Sequence, residues 1–136
     1  MKQEWKAEEL SSVGLAFVGD AIWEIYARQH CLNKGVRKPN DLHKLCTKYV
    51  SARAQASALS ALMPALTDAE AAIVRRGRNA KSAHVRRNVD VLVYRHSTAF
   101  ESLIGYLHGT GQRDRLEEIV SMALQYLDDP EKESQK

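Results

Sequence analysis

The stretch Leu15-Ala-Phe-Val-Gly-Asp-Ala-Ile-Trp-Glu-Ile-Tyr26 decides how this chain folds. At about 100° per residue, Leu15, Val18, Ile22 and Ile25 share one face of a helix. Phe17 and Ala21 widen the apolar surface on one flank and Trp23 on the other, leaving Ala16, Asp20 and Glu24 in the remaining sector. A helix this apolar belongs in a core or an interface, so the pattern predicts a buried central helix that carries an acid. Phe17 and Trp23 are candidates for a subunit interface as well as for the core. Gly19, immediately before Asp20, is a poor helix former that lets another backbone or a ligand come close.

Working outward, the rest of the chain also reads as helix. Ser11 and Ser12 can cap the first helix, which runs to His30; Lys34-Gly35 ends it, and Pro39 suits the first turn of the next. Residues 40–63 read as one long helix or two short ones, until Pro64 interrupts. Thr67, with Glu70 three residues later, is a capping-box signature for a short helix ending near Gly77. A basic loop over 77–88 follows. Residues 90–108 form another helix, Gly109-Thr110-Gly111 a turn, and 114–127 a last amphipathic helix, with 129–136 as a tail. Strand-type alternation is absent. The expected fold class is all-α, as one domain over residues 1–128.

Composition narrows the class further. With 136 residues, 44% hydrophobic and 27% charged, the chain suits one folded domain and not a disordered or collagen-like one. No apolar run approaches the roughly 20 residues that cross a bilayer. Residues 1–10 mix charges of both signs without an apolar signal core, so a cytoplasmic location is expected. Cys31 and Cys46 are too few for a disulfide framework and fit a reducing interior. A zinc site from His30, Cys31, His43 and Cys46 is poorly supported, because adjacent His30 and Cys31 suit no common structural pattern.

The net charge of +3 is mild, but its distribution is uneven. Arg75, Arg76, Arg78, Lys81, Arg86, Arg87 and Arg95 face a single acid, Asp90, over residues 75–95. Acids dominate from Asp114 onward. Such segregation points to a face that attracts a polyanion, with the solvated end of a helix as the plainer reading. Arg76, Arg78, Lys81, Arg86 and Arg87 are the candidate phosphate contacts.

A second acid stands out in Arg95-His-Ser-Thr-Ala-Phe-Glu-Ser-Leu-Ile-Gly-Tyr-Leu107. Val93, Phe100, Leu103, Ile104 and Leu107 form the apolar stripe, and Glu101 lies off its edge with Ser97, Thr98 and Gly105 one turn away. Small neighbours leave room for an ion or a phosphate. Either acid alone has an ordinary reading: Asp20 pairing with an arginine such as Arg95, Glu101 simply exposed. Two carboxylates meeting across a helix groove offer hard oxygen ligands that suit Mg²⁺ or Mn²⁺. Basic residues beside them suggest phosphodiester cleavage.

At these residues the sequence resembles a ribonuclease III catalytic domain. Val18-Gly-Asp-Ala-Ile22 resembles the signature helix of that family, and Thr98-Ala-Phe-Glu-Ser-Leu-Ile-Gly105 its second acidic motif. Lys38-Pro-Asn-Asp-Leu-His-Lys44, Arg76-Gly-Arg-Asn-Ala-Lys-Ser82 and Tyr94-Arg-His-Ser-Thr-Ala-Phe-Glu101 resemble its short bacterial branch, the Mini-ribonucleases III. The motifs stand in the expected order from Val13 to Tyr126. The resemblance implies an all-helical homodimeric endoribonuclease for double-stranded RNA, with Asp20 and Glu101 as catalytic residues and ligands of Mg²⁺ or Mn²⁺. It further implies the precursor of large-subunit (23S) ribosomal RNA as substrate, 5′-phosphate and 3′-hydroxyl product ends, and an assisting large-subunit ribosomal protein. A separate double-stranded-RNA-binding domain is not expected after Glu101.

Two departures matter. Family members with the full acidic set have acids where this chain has Ala16 and Thr98. The expected site is therefore thin, with water and RNA phosphate completing the coordination and Glu24 as a candidate helper through water. A site short of ligands keeps open a second reading, a non-catalytic helical RNA-binding or ribosome-assembly factor. A helix-turn-helix DNA-binding protein stands further off, since many of the basic residues fall in a loop.

Overall fold

The structure is a computed structural model and describes residues 1–80 and 90–129. A 3-10 turn (Ala7–Glu9) leads into α1 (Ser12–Asn33), α2 (Pro39–Val50) and α3 (Ala52–Leu62). A second 3-10 turn (Met63–Ala65) precedes α4 (Asp68–Asn79), α5 (Val91–Gly109) and α6 (Arg113–Asp128). The described residues contain helices and no strands, as the sequence pattern predicts. The expected tail lies, from residue 130 onward, outside the described residues.

Local chemistry places the boundaries. Ser11 caps α1 by accepting a hydrogen bond from the Gly14 amide at 3.1 Å. Pro39 opens α2, where its missing N–H costs nothing. The two-helix reading of 40–63 holds because Ser51 leaves the helical conformation and caps α3 through the Ala54 amide. Thr67 and Glu70 form the full capping box of α4. Glu70 is buried and also accepts two hydrogen bonds from Arg115 of α6, which hold its carboxyl below the usual range.

α4 runs past Gly77 to Asn79, so Arg76 and Arg78 belong to its last turn and not to a loop. Cations there also face the negative end of the helix dipole, the plainer reading of this basic run. Lys81, Arg86 and Arg87 lie outside the described residues.

The most extensive packing joins α1 to α5, and both helices need glycine to achieve it. A Cβ on Gly19 would fall 1.7 Å from the Glu101 carbonyl oxygen, and one on Gly105 would fall 2.0 Å from that of Leu15. What Gly19 admits is thus the backbone of α5. Gly77 does the same for α4, where a Cβ would meet the Ala99 Cα at 2.7 Å.

The close crossing rotates the buried stripe of α1. Leu15, Gly19, Trp23, Ala27 and Cys31 face inward, one helical turn apart; Val18 and Ile22 are half-buried flanks, and Ile25 is exposed. The face expected from Leu15, Val18, Ile22 and Ile25 is corrected accordingly. The small residues win the inner position because they let α5 approach. Trp23 is fully buried, packs edge-to-face on Phe100 with centroids 4.9 Å apart, and donates Nε1–H to the Tyr49 carbonyl at 2.9 Å. It belongs to the core. Phe17, in contrast, is 82% exposed.

Candidate active site

Because Gly19 brings α1 against the Glu101 backbone, the side chain of the next residue, Asp20, meets that of Glu101. Both line a cavity of about 630 Å³ between α1, α4 and α5. Ala16 and Thr98 line the same cavity, so the two positions lacking acids face the same space as the two acids that remain.

Asp20 is exposed and Glu101 half-buried. Burial, with the hydrogen bond and charge of Asp20, pushes the Glu101 carboxyl up to about 9; the Gln55 amide opposes this. Without a cation, then, Glu101 keeps its proton at neutral pH. Two crowded carboxyls of this kind suit a hard divalent cation, which can replace the proton and remove the repulsion. Among the described residues no further His, Cys, Asp or Glu joins them in a metal-holding group.

The small residues around Glu101 do not all serve an open site. Ser102 is buried with its hydroxyl 2.8 Å from both the Ser12 and Thr98 carbonyls, which share its one proton, tying α5 to α1. Gly105 is filled by α1, and Ser97 donates to Gln55 at 2.6 Å. Of that ring, Thr98 is the member that lines the cavity. Glu24 points elsewhere, pairing with Arg28 at 2.9 Å and lining a separate groove with Cys31 and Cys46.

The other groups singled out in the sequence are dispersed. Arg76 lines a shallow groove that shares Val13 and Ala80 with the cavity. Arg78, two residues on, is turned by about 200° around the helix from Arg76. Arg95 does not appear as an ion pair of Asp20 among the described contacts, but it lines the cavity beside Tyr94. Sequence alone offers Arg95 only as part of a charge run or as a partner of Asp20, and nothing in spacing links Gln55 to Glu101. His30 hydrogen-bonds Asp128 at 2.8 Å and His43 is exposed, whereas Cys31 and Cys46 meet as buried thiols, Cys46 pushed up to about 11 chiefly by burial.

Residues 13–112 match the family model described as Ribonuclease III domain. The chain is 52% identical over 109 residues to the Mini-ribonuclease 3 of Brevibacillus brevis, covering 80% of this chain and 81% of that one. It is 49% identical over 119 residues to the Mini-ribonuclease 3 of Enterococcus faecalis, covering 86% and 90%. A crystal structure of a Fusobacterium nucleatum protein superposes with a TM-score of 0.78 at 28% identity, covering 89% of this chain and 98% of that one. A facing acid pair, a basic helix end beside it and relatives at this level of identity leave one conclusion: this chain belongs to the ribonuclease III family, endoribonucleases that cut double-stranded RNA and generally use divalent metal ions.

Proposed function

We propose that this chain, as one catalytic domain over residues 1–128, cleaves double-stranded RNA at a cation site formed by Asp20 and Glu101. The supporting observation is the meeting of these carboxyls, from two helices, in one cavity. The cation is Mg²⁺, with Mn²⁺ as a substitute, because the donors are hard oxygens and Mg²⁺ retains several waters at sites with few protein ligands. Bound there, it supplies Lewis-acid stabilisation of charge on the scissile phosphate. Asp20 offers its carboxylate from the exposed side, and Glu101 offers a deeper one after giving up its proton. Arg76 and Arg95 draw phosphates toward the cavity, while Arg78, on another side of α4, and Lys81, Arg86 and Arg87 contact phosphates elsewhere along the duplex. An A-form duplex suits such a surface, since its wide minor groove is read mainly as shape, 2′-hydroxyls and phosphates.

Resemblance to the short branch supports the precursor of large-subunit (23S) ribosomal RNA as substrate, an assisting large-subunit ribosomal protein, and products with 5′-phosphate and 3′-hydroxyl ends. A cytoplasmic setting fits that substrate. Incubation of the protein with a long RNA duplex and Mg²⁺ should give cleavage that EDTA stops. Binding without cleavage under any divalent ion would leave a helical RNA-binding factor instead.

Two further outcomes are expected. Arg76→Ala should weaken duplex binding irrespective of sequence and lower the salt dependence by about one counterion, measured by titration at several salt concentrations. An unchanged slope would remove Arg76 from the contact surface. Homodimerisation, the arrangement expected for the family, would use the exposed apolar stripe Phe17, Ala21 and Ile25 of α1. Phe17→Lys should then weaken dimerisation by about 2 kcal/mol or more in sedimentation at micromolar protein, with the helical circular dichroism retained. A parent that sediments as a monomer would overturn the dimer.

A further inference from the structure

Gln55, the fourth residue of α3, is 2% exposed in a helix whose other buried residues are Ala54, Ala58, Leu59 and Leu62. An amide in such a position costs stability unless its hydrogen bonds are made. Its Oε1 accepts from the Ser97 hydroxyl of α5 at 2.6 Å, and its Nε2 donates to the Val50 carbonyl at 3.3 Å. The amide is also a hydrogen-bond partner of the Glu101 carboxyl. These contacts fix which way the amide points. A backbone carbonyl and a carboxylate can only accept, so both must face the NH₂ end, while the serine hydroxyl serves the oxygen.

The anchors come from well-held parts of the fold. Val50 ends α2, Ser51 caps α3, and Ser97 lies one turn before Glu101 on the same helix. The Gln55 side chain therefore ties the α2–α3 corner to α5 one turn before Glu101, whose carboxyl lines the cavity. A leucine of similar volume would satisfy the packing of α3 as well. The amide has a use that packing does not explain.

We propose that Gln55 is a positioning residue, anchored by Ser97 and Val50, that holds the Glu101 carboxylate aimed across the cavity at Asp20 for cation binding. This rests on the reading of Asp20 and Glu101 as the cation ligands. In a site with few protein ligands, the orientation of each carboxylate weighs more heavily, and loss of an outer partner of a metal ligand typically costs about 10- to 100-fold in affinity.

The test uses the full chain and Mn²⁺ alone, with binding followed by calorimetry or by loss of the free-ion paramagnetic signal, and without RNA. Gln55→Leu should weaken Mn²⁺ binding about 10-fold or more and raise the Mn²⁺ concentration for half-maximal cleavage by a similar factor. Duplex affinity in EDTA should stay within about twofold, because Gln55 makes no phosphate contact. Ser97→Ala, which keeps the amide and removes its anchor, should produce a smaller shift in the same direction; it decides the matter if Gln55→Leu does not fold. Leu59→Ala on the same helix should lower the melting temperature without moving Mn²⁺ affinity. Parent-like Mn²⁺ affinity in both Gln55→Leu and Ser97→Ala overturns the proposal. Glu101→Gln and Asp20→Asn separate the two levels. If these also keep parent-like affinity, the site itself is misassigned; if they lose it while the Gln55 and Ser97 variants do not, the positioning role alone fails.

Discussion

Asp20→Asn should reduce the rate of duplex cleavage by on the order of 10³-fold or more, with RNA binding in EDTA and helical content unchanged. The size follows from the role: charge stabilisation by a bound cation contributes several kcal/mol to the transition state, and each 1.4 kcal/mol is about tenfold in rate. The substitution keeps shape and removes charge, so it should not disturb the crossing of α1 and α5. In the metal-free protein, stability should rise relative to the parent as pH climbs toward 9. Glu101 has its carboxyl pushed up to about 9 in the fold, partly by Asp20. A carboxyl raised in this way stabilises the fold most below its ordinary range, and that contribution is lost as pH climbs toward 9. Removing the Asp20 charge lowers the folded value of Glu101, so part of this loss is relieved where Glu101 ionises, as pH climbs toward 9. Single-turnover cleavage alongside thermal melting in EDTA checks both halves. A variant that cuts within tenfold of the parent rate would remove Asp20 from the site.

Gly19→Ala should lower unfolding stability by about 3 kcal/mol or more, at the top of the usual range for overpacking. The added methyl would fall 1.7 Å from the Glu101 carbonyl oxygen, a backbone atom in the middle of a packed helix that no rotamer change can move. The helices must separate instead, and with them the core contacts of Leu15, Trp23, Phe100 and Ile104. Gly105→Ala attacks the same crossing from the other side and should cost as much. Because either methyl prises apart one interface, the double variant should fall short of the sum. Chemical denaturation measures all three. A Gly19→Ala protein with the parent's denaturation midpoint would show that the crossing is looser than described.

How much of this was legible in advance depended on the range of the interaction involved. Capping and helix ends are local, so Ser11, Pro39, Thr67 with Glu70, and the Gly109-Thr110-Gly111 turn could be read directly. The inner face of α1 could not, because periodicity weighs hydrophobicity while the crossing weighs size. Gly19 and Ala27 sit inside, and Ile25 and Phe17 outside. The same blindness split Phe17 from Trp23.

The order and spacing of residues along the chain determined that it is helical, that Asp20 and Glu101 are its unusual acids, and that it resembles the ribonuclease III family. Those properties depend on neighbours within a turn or two, or on motifs carried whole. Which groups meet around the two acids was decided by tertiary structure alone. Gln55 reaches Glu101 from 46 positions away (101 − 55), and Glu24 turns aside to Arg28 although it stands one turn from Asp20. The reason is the depth of one helix crossing: two glycines fix how closely α1 and α5 approach, and that distance sets where every side chain beside them points.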